Sequence, residues 1–172
     1  MYKKALVVID VQNDFVSGAL GTKEAQEMIP RLVEKLKQTG DDVIFTMDTR
    51  KDNYLETHEG KNLPVAHCIK GTEGWDLVDA VKEYASRAKV IEKKAFGSTR
   101  LPSLLKPYDE IEFCGLCTDI CVISNALLIK AFYPETLVSV DSKCCAGSTP
   151  EAHDAALMIM KNCQCRIYCD KK

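Results

Sequence analysis

The sequence has no apolar run near the roughly 18 residues needed to cross a bilayer, which argues against a membrane helix. It has no block of like charge either: 23 basic residues face 25 acidic ones, a formal net charge of −2. A nucleic-acid surface, which needs a basic face and a high pI, is not expected. A glycine-rich phosphate loop is missing. The segment after the first apolar run, Val11-Gln-Asn-Asp-Phe15, is acidic and lacks glycine, so a flavodoxin-like nucleotide binder fails at the residue level. Histidine is scarce, with three in all. None is placed to serve a cysteine as base: His58 and His67 fall in a long aperiodic stretch and His153 in a late helical one. The apolar stretch after Met1-Tyr-Lys-Lys4 is too short for a signal peptide, so the expectation is a cytoplasmic protein. Internal repeats, low-complexity tracts and linkers are also lacking, and 172 residues suit one domain spanning 1–172.

What the chain does have is cysteine. There are nine, an odd number, crowded as Cys114, Cys117 and Cys121, then Cys144 and Cys145, then Cys163, Cys165 and Cys169, with Cys68 apart. Without an export signal these read as reduced thiols rather than a disulfide framework. Cys163, Cys165 and Cys169 lack a second well-spaced ligand pair for zinc, and no redox context follows the Cys114-x-x-Cys117 pair.

Short apolar runs alternate with amphipathic stretches. Ala5–Ile9, Asp42–Met47, Ala88–Glu92, Glu110–Cys114, Thr136–Val140 and Cys165–Tyr168 read as strands. Helices are expected over Ile29–Gln38, Trp75–Ala85, Thr118–Ala131 and Pro150–Lys161, with Pro30 in a first turn and Gly40 at a C-terminal cap. Residues 49–74 lack periodicity, and so long a loop in a compact domain is usually functional. The order implies an α/β fold: a three-layer α/β/α sandwich around a central, mainly parallel sheet of about six strands, Rossmann-like in plan. In such sheets ligands sit beyond the carboxyl ends of the strands, near the point where strand order reverses.

Three strands end in reactive groups. The first runs into Asp10, the third ends at Lys93, and the fourth feeds Gly115 and then a helix bearing Cys121. Singly, each has an ordinary explanation: a first loop residue, a solvated lysine, a small core side chain. Their convergence on one sheet edge is the informative feature. If Thr118 caps the helix, Cys121 lies in its first turn, where free N–H groups, the helix dipole and a nearby ammonium favour the thiolate. A carboxylate beside it could take the thiol proton and return it to a leaving amine.

Val7-Val-Ile-Asp-Val-Gln-Asn-Asp-Phe15, Lys93-Lys-Ala-Phe96, Cys114-Gly-Leu-Cys-Thr-Asp-Ile-Cys-Val122 and Leu63-Pro-Val-Ala-His-Cys-Ile-Lys-Gly-Thr72 together resemble, in order, the signature segments of the isochorismatase-like cysteine hydrolases, nicotinamidases among them. The resemblance implies Cys121 as nucleophile, Asp10 as general base and Lys93 as the stabilising cation. Lys94 competes for the last role, but the Lys-x-x-Phe spacing to Phe96 favours Lys93. It further implies a non-proline cis bond before Cys117, whose N–H joins that of Cys121 in an oxyanion hole, and an aromatic pocket residue at Phe15. The substrate would be a small-molecule amide, with no organic cofactor and a homo-oligomeric state. N-carbamoyl or ureido compounds are an alternative substrate class. Isochorismate cleavage is a further one, although those members do not need a cysteine nucleophile. A non-catalytic binding protein on the same fold is the remaining reading.

Nicotinamidases typically hold a metal through an Asp-x-His pair and later His or Glu ligands. Here Asp48 and His67 match, and Glu56 or Glu59 could be the third ligand, but Asp48-Thr-Arg50 carries arginine, which has no lone pair to give. Two expectations follow. Either Arg50 pairs with Asp48, supplies the positive charge in place and helps bind substrate, or Asp48, His67 and Glu59 still bind zinc or a similar divalent ion with waters.

Overall fold

The computed structural model describes residues 2–169. The chain runs β1 (Lys4–Ile9), α1 (Asn13–Val16), α2 (Lys23–Gln38), β2 (Asp42–Asp48), a 3-10 turn (Tyr54–Glu56), α3 (His58–Asn62), α4 (Asp79–Ala85) and β3 (Lys89–Lys93). It continues through α5 (Leu101–Leu105), β4 (Glu110–Leu116), a π-helical turn (Thr118–Val122) that flows into α6 (Ile123–Phe132), β5 (Leu137–Ala146), α7 (Pro150–Asn162) and β6 (Arg166–Tyr168). The six strands are all parallel, in the order β3-β2-β1-β4-β5-β6.

Right-handed crossovers dictate the layers. Connections moving outward from β1 through β2 to β3 put α2 and α4 on one face, and connections running the other way put α5, α6 and α7 on the opposite face. The central strands are apolar on both sides, and Ala5 to Ile9 are all essentially inaccessible. Strand order reverses between β1 and β4, so the carboxyl ends of these two strands form the crevice that the sequence pointed to. Gly115 lets them approach. It has φ +111, and a Cβ there would stand 2.1 Å from the Ile9 carbonyl oxygen. Among the described residues no helix is long and apolar enough to cross a membrane.

Several elements differ from the sequence reading. The second helix starts at Lys23, not near Ile29, because the Thr22 hydroxyl accepts from Ala25 N and caps it there. Its buried stripe of Ala25, Met28, Leu32 and Leu36 already spans Pro30, so the proline lies inside the helix. Gly40 does not cap it: Thr39 does, in extended conformation, and Gly40 is not left-handed. The helix expected from Trp75 begins only at Asp79, since Leu77 pairs antiparallel with Gln12 and Val78 N donates to Val11 O. β5 runs on to Ala146 through an irregularity opposite Phe113–Gly115.

Candidate active site

The sequence placed three reactive side chains on one edge, and the structure brings them into contact. Lys93 Nζ lies 2.6 Å from Asp10 Oδ2 and 3.3 Å from Cys121 Sγ. Lys93, the last residue of β3, is buried, while Lys94 just beyond the strand end is exposed, which selects between the two lysines. Asp10 ends β1 with φ +48, a left-handed conformation that costs a non-glycine residue on the order of 1–2 kcal/mol and that aspartate tolerates better than most. Thr46 holds it there: its hydroxyl donates to Asp10 Oδ1 at 2.6 Å, and Asp10 N reaches the Thr46 carbonyl at 3.2 Å. The other carboxylate oxygen, Oδ2, faces the Lys93 ammonium at 2.6 Å. That leaves a lone pair able to take a proton.

Burial governs the titration of these groups. It raises Asp10 above the ordinary carboxylate value; the Lys93 ammonium works against that shift and the negative charge of Asp48 adds to it. It also pushes the Cys121 thiol well up, with Asp10 adding and Lys93 opposing. Burial alone would lower Lys93, but Asp10, Cys121 and Asp48 around it hold the ammonium above the usual lysine value. Desolvation thus works against a free thiolate on Cys121, opposite in direction to the helix position and the Lys93 ammonium, which favour it.

The turn carrying Cys121 also departs from expectation. Thr118 does not cap it; Cys117 is the N-cap residue, and the Thr118 hydroxyl lies 2.7 Å from His153 Nδ1 at the start of α7. Asp119 accepts from Ser148 N and Ser148 Oγ, so two tethers fix the turn to the segment before α7. The peptide bond between Leu116 and Cys117 is cis, and burial pushes the Cys117 thiol up to about 12.

Sequence reasoning missed two positioning residues. Asn125 sits in the otherwise apolar stretch of α6. Its Nδ2 donates to the carbonyls of Cys121 and Phe96, and its Oδ1 accepts from Ser98 N, tying the loop after Lys93 to the nucleophile's helix. A lone amide in an apolar helix was the signal available. Gln12 spans the other side: Nε2 donates to the carbonyls of Asp48 and Trp75, and Oε1 accepts from Asp48 N at 2.7 Å.

Beyond Lys93 the charges continue. Asp48 Oδ1 lies 3.3 Å from Lys93 Nζ, and Arg50 Nε donates to Asp48 Oδ2 at 3.0 Å. Arg50 Nη2 stands 2.9 Å from Glu59 Oε2, and Nη1 donates to the Lys94 carbonyl. His67 Nε2 faces Asp48 Oδ2 at 3.8 Å and Glu59 Oε1 at 3.9 Å, and its ring is packed by Phe15 and Tyr54. Glu56 is exposed on the outside of this group. Asp48, His67 and Glu59 thus gather as expected, but around a guanidinium. Arg50 holds both carboxylates, and among the described residues no group of three potential ligands is disposed to take an ion. The residues do not fit a divalent metal.

A family model named Isochorismatase domain matches residues 4–169. The chain belongs to the isochorismatase family. A member from Arabidopsis thaliana named "Probable inactive nicotinamidase" is 32% identical, covering 92% of this chain and 88% of that one. The structure of nicotinamidase/pyrazinamidase PncA from Bacillus subtilis is 29% identical with a TM-score of 0.81, covering 96% of this chain and 99% of that one. A pyrazinamidase of Pyrococcus horikoshii, crystallised in complex with zinc, is 26% identical with a TM-score of 0.80 over 96% and 98% of the two chains. These likenesses make this isochorismatase-family chain an amide hydrolase, on a fold whose six-stranded parallel sheet is that of the family's other hydrolases.

Of the remaining cysteines of this family member, Cys68 borders the site, its carbonyl accepting from Arg50 N at 2.9 Å. All nine are free; Cys68, Cys114, Cys144, Cys145 and Cys165 are buried, and Cys163 and Cys169 are exposed.

Proposed function

We propose that the chain hydrolyses the amide of a small, nicotinamide-like molecule through a thioester on Cys121. The observation that carries this reading is the contact of Lys93 Nζ with both Asp10 Oδ2 and Cys121 Sγ, at 2.6 and 3.3 Å, where β1 and β4 diverge. Asp10, its basicity raised by burial, takes the thiol proton as sulfur attacks the amide carbon. The thiol proton reaches Asp10 only as the carbon–sulfur bond forms, so no free thiolate has to stand in the site, which suits a thiol whose burial opposes ionisation. Lys93 stays protonated throughout and offsets the negative charge that moves between sulfur and carboxylate.

The carbonyl oxygen, turning anionic, would be met by the backbone N–H groups of Cys117 and Cys121. The proton on Asp10 passes to the departing nitrogen and ammonia leaves a thioester. Asp10 then takes a proton from water, hydroxyl attacks the thioester, and the acid departs as the proton returns to sulfur. Phe15 and Arg50 would flank the substrate. A homo-oligomer belongs to the same reading and is supported by Phe132, Met158 and Ile159, large apolar side chains exposed near the ends of α6 and α7.

The test is ammonia release over nicotinamide, pyrazinamide and N-carbamoyl amino acids, with Cys121→Ala as control. Turnover of one class that the alanine variant loses is the expected result. Full turnover by the variant would remove Cys121 from the mechanism.

A further inference from the structure

Two carboxylates and an imidazole converging from β2, α3 and the following loop are, by donor type, a ligand set for zinc or a similar divalent ion. In this chain the set is filled from within. The Arg50 side chain is 9% exposed and is fixed at all three of its nitrogens: Nε on Asp48 Oδ2, Nη1 on the Lys94 carbonyl, and Nη2 beside Glu59 Oε2. We propose that Arg50 is a built-in cation that keeps this centre free of metal and, in the hydrolase reading above, selects substrates by a hydrogen bond to an uncharged acceptor.

The first half follows from charge and geometry. Each of the two carboxylates already faces a guanidinium that stays protonated at any working pH, and an entering dication would stand against that charge at contact distance. Metal uptake would require Arg50 to give up two hydrogen bonds and its ion pair with Glu59. The cluster also connects to the reacting atoms without a metal, since Asp48 touches Arg50 with one oxygen and Lys93 Nζ with the other, at 3.0 and 3.3 Å.

The second half follows from the one donor left over. Nη2 is held 2.9 Å from Glu59 Oε2 by charge, but this buried nitrogen makes no well-directed hydrogen bond, so part of its donor capacity is unused. A donor in that condition gains most from a ligand acceptor. The surroundings argue against an anionic one. Asp10, Asp48 and Glu59 already outnumber Lys93 and Arg50 along the chain of contacts, so a ring nitrogen or carbonyl oxygen suits the place better than a second carboxylate.

Zinc titration by calorimetry, with metal analysis of the purified full chain, tests the first half and needs no turnover. Wild type should hold no stoichiometric metal and bind zinc only weakly. Arg50→His, which removes the guanidinium and adds a ligand, should bind at least tenfold tighter. Wild-type uptake of one zinc ion that Asp48→Asn abolishes would overturn the proposal; the Asn variant separates this cluster from the exposed Cys163 and Cys169 thiols. Arg50→Gln, which removes the charge without adding an imidazole, stands in if the histidine variant does not fold and should also bind zinc more tightly than wild type.

Kinetics test the second half. Arg50→Met should raise KM about tenfold for nicotinamide and less than twofold for benzamide, which lacks the ring acceptor. Equal changes for both would refute the selective hydrogen bond. Absence of turnover by wild type on every amide would refute the hydrolase reading and with it this second half, while the zinc comparison would still decide the first.

Discussion

Two ion networks are buried against the same sheet, and they do different work. One lies beyond the carboxyl ends of the strands: Asp10, Lys93, Asp48, Arg50 and Glu59 in alternating sign. The other lies under α2, toward the amino ends of β1 and β4. There Lys4 Nζ meets Glu112 Oε2 at 2.7 Å, and Lys35 bridges Glu112 and Asp141. The α2 network ties helix to sheet from regular backbone, and it contains no nucleophile. The other network keeps a carboxylate in a left-handed turn and places a thiol within reach of the same ammonium. Both networks hold a buried carboxylate oxygen without a directed donor, Asp10 Oδ2 in one and Glu112 Oε1 in the other, so backbone strain and the neighbouring thiol are what mark the place where chemistry is done.

The largest effect is expected from removing the thiol. Cys121→Ala should lower amide hydrolysis by about 10⁴-fold or more while the melting temperature stays within a few degrees, because a nucleophile contributes to the barrier far more than to packing. Ammonia release and thermal unfolding of the same preparation measure both. A large loss of stability with modest loss of turnover would make Cys121 a core residue.

Next in size is Asp10→Asn, expected to cost about 10²- to 10⁴-fold in kcat/KM as the base is lost. The pH profile gives it a direction. Asp10 works as carboxylate, and burial raises its pKa, so the acid limb of kcat/KM should lie above the ~3.9 of an ordinary aspartate and disappear in the variant. An unchanged limb in Asp10→Asn would assign it to another group. The linkage runs the same way. A carboxyl whose folded pKa is raised contributes stability that is full below its unfolded value and is lost as pH rises through the folded one.

The reactive residues were legible because each stands at a strand end, and strand ends are marked by apolar runs such as Ala5–Ile9 that stop abruptly at a polar residue. Parallel order did the rest, since all such ends share one edge. Their environment was harder to read. Whether Cys121 rests as thiol or thiolate depends on burial, which no local pattern gives. Arg50 could be flagged as an odd residue in its segment, but that it bridges Asp48 and Glu59 depends on how residues 54–62 fold back over β2. Helix boundaries failed where tertiary pairing overrode periodicity, as at Leu77 against Gln12, or where a cap such as Thr22 preceded the obvious apolar stripe.

A smaller effect is expected from the α2 network, and it should appear in a different observable. Glu112→Gln leaves Lys4 and Lys35 facing a neutral amide. The cost should be roughly 1–3 kcal/mol, below that of a fully buried pair because both lysines keep some water, and kcat should change less than twofold. Urea unfolding and initial rates measure the two. Burial alone would lower Lys35, but Asp141 and Glu112 outweigh it and hold Lys35 above the usual value. Its contribution is therefore full below the unfolded lysine value and fades only as pH rises through the folded one. Loss of turnover equal to that of Asp10→Asn would mean the two networks are coupled through the sheet.

The smallest expected effect calibrates both. Arg87 and Glu83 pair at 2.6 Å, shorter than most contacts in either buried network, yet their side chains are 77% and 70% exposed. In water such a pair gains little over its hydrated parts and gives up side-chain freedom to form, so Glu83→Ala should shift stability by no more than about 0.5 kcal/mol and leave turnover alone. If thermal unfolding showed Glu83→Ala as costly as Glu112→Gln, distance rather than desolvation would be setting the strength of charge pairs here. The contrast drawn between braced and reactive charges, which rests on burial, would then lose its physical basis.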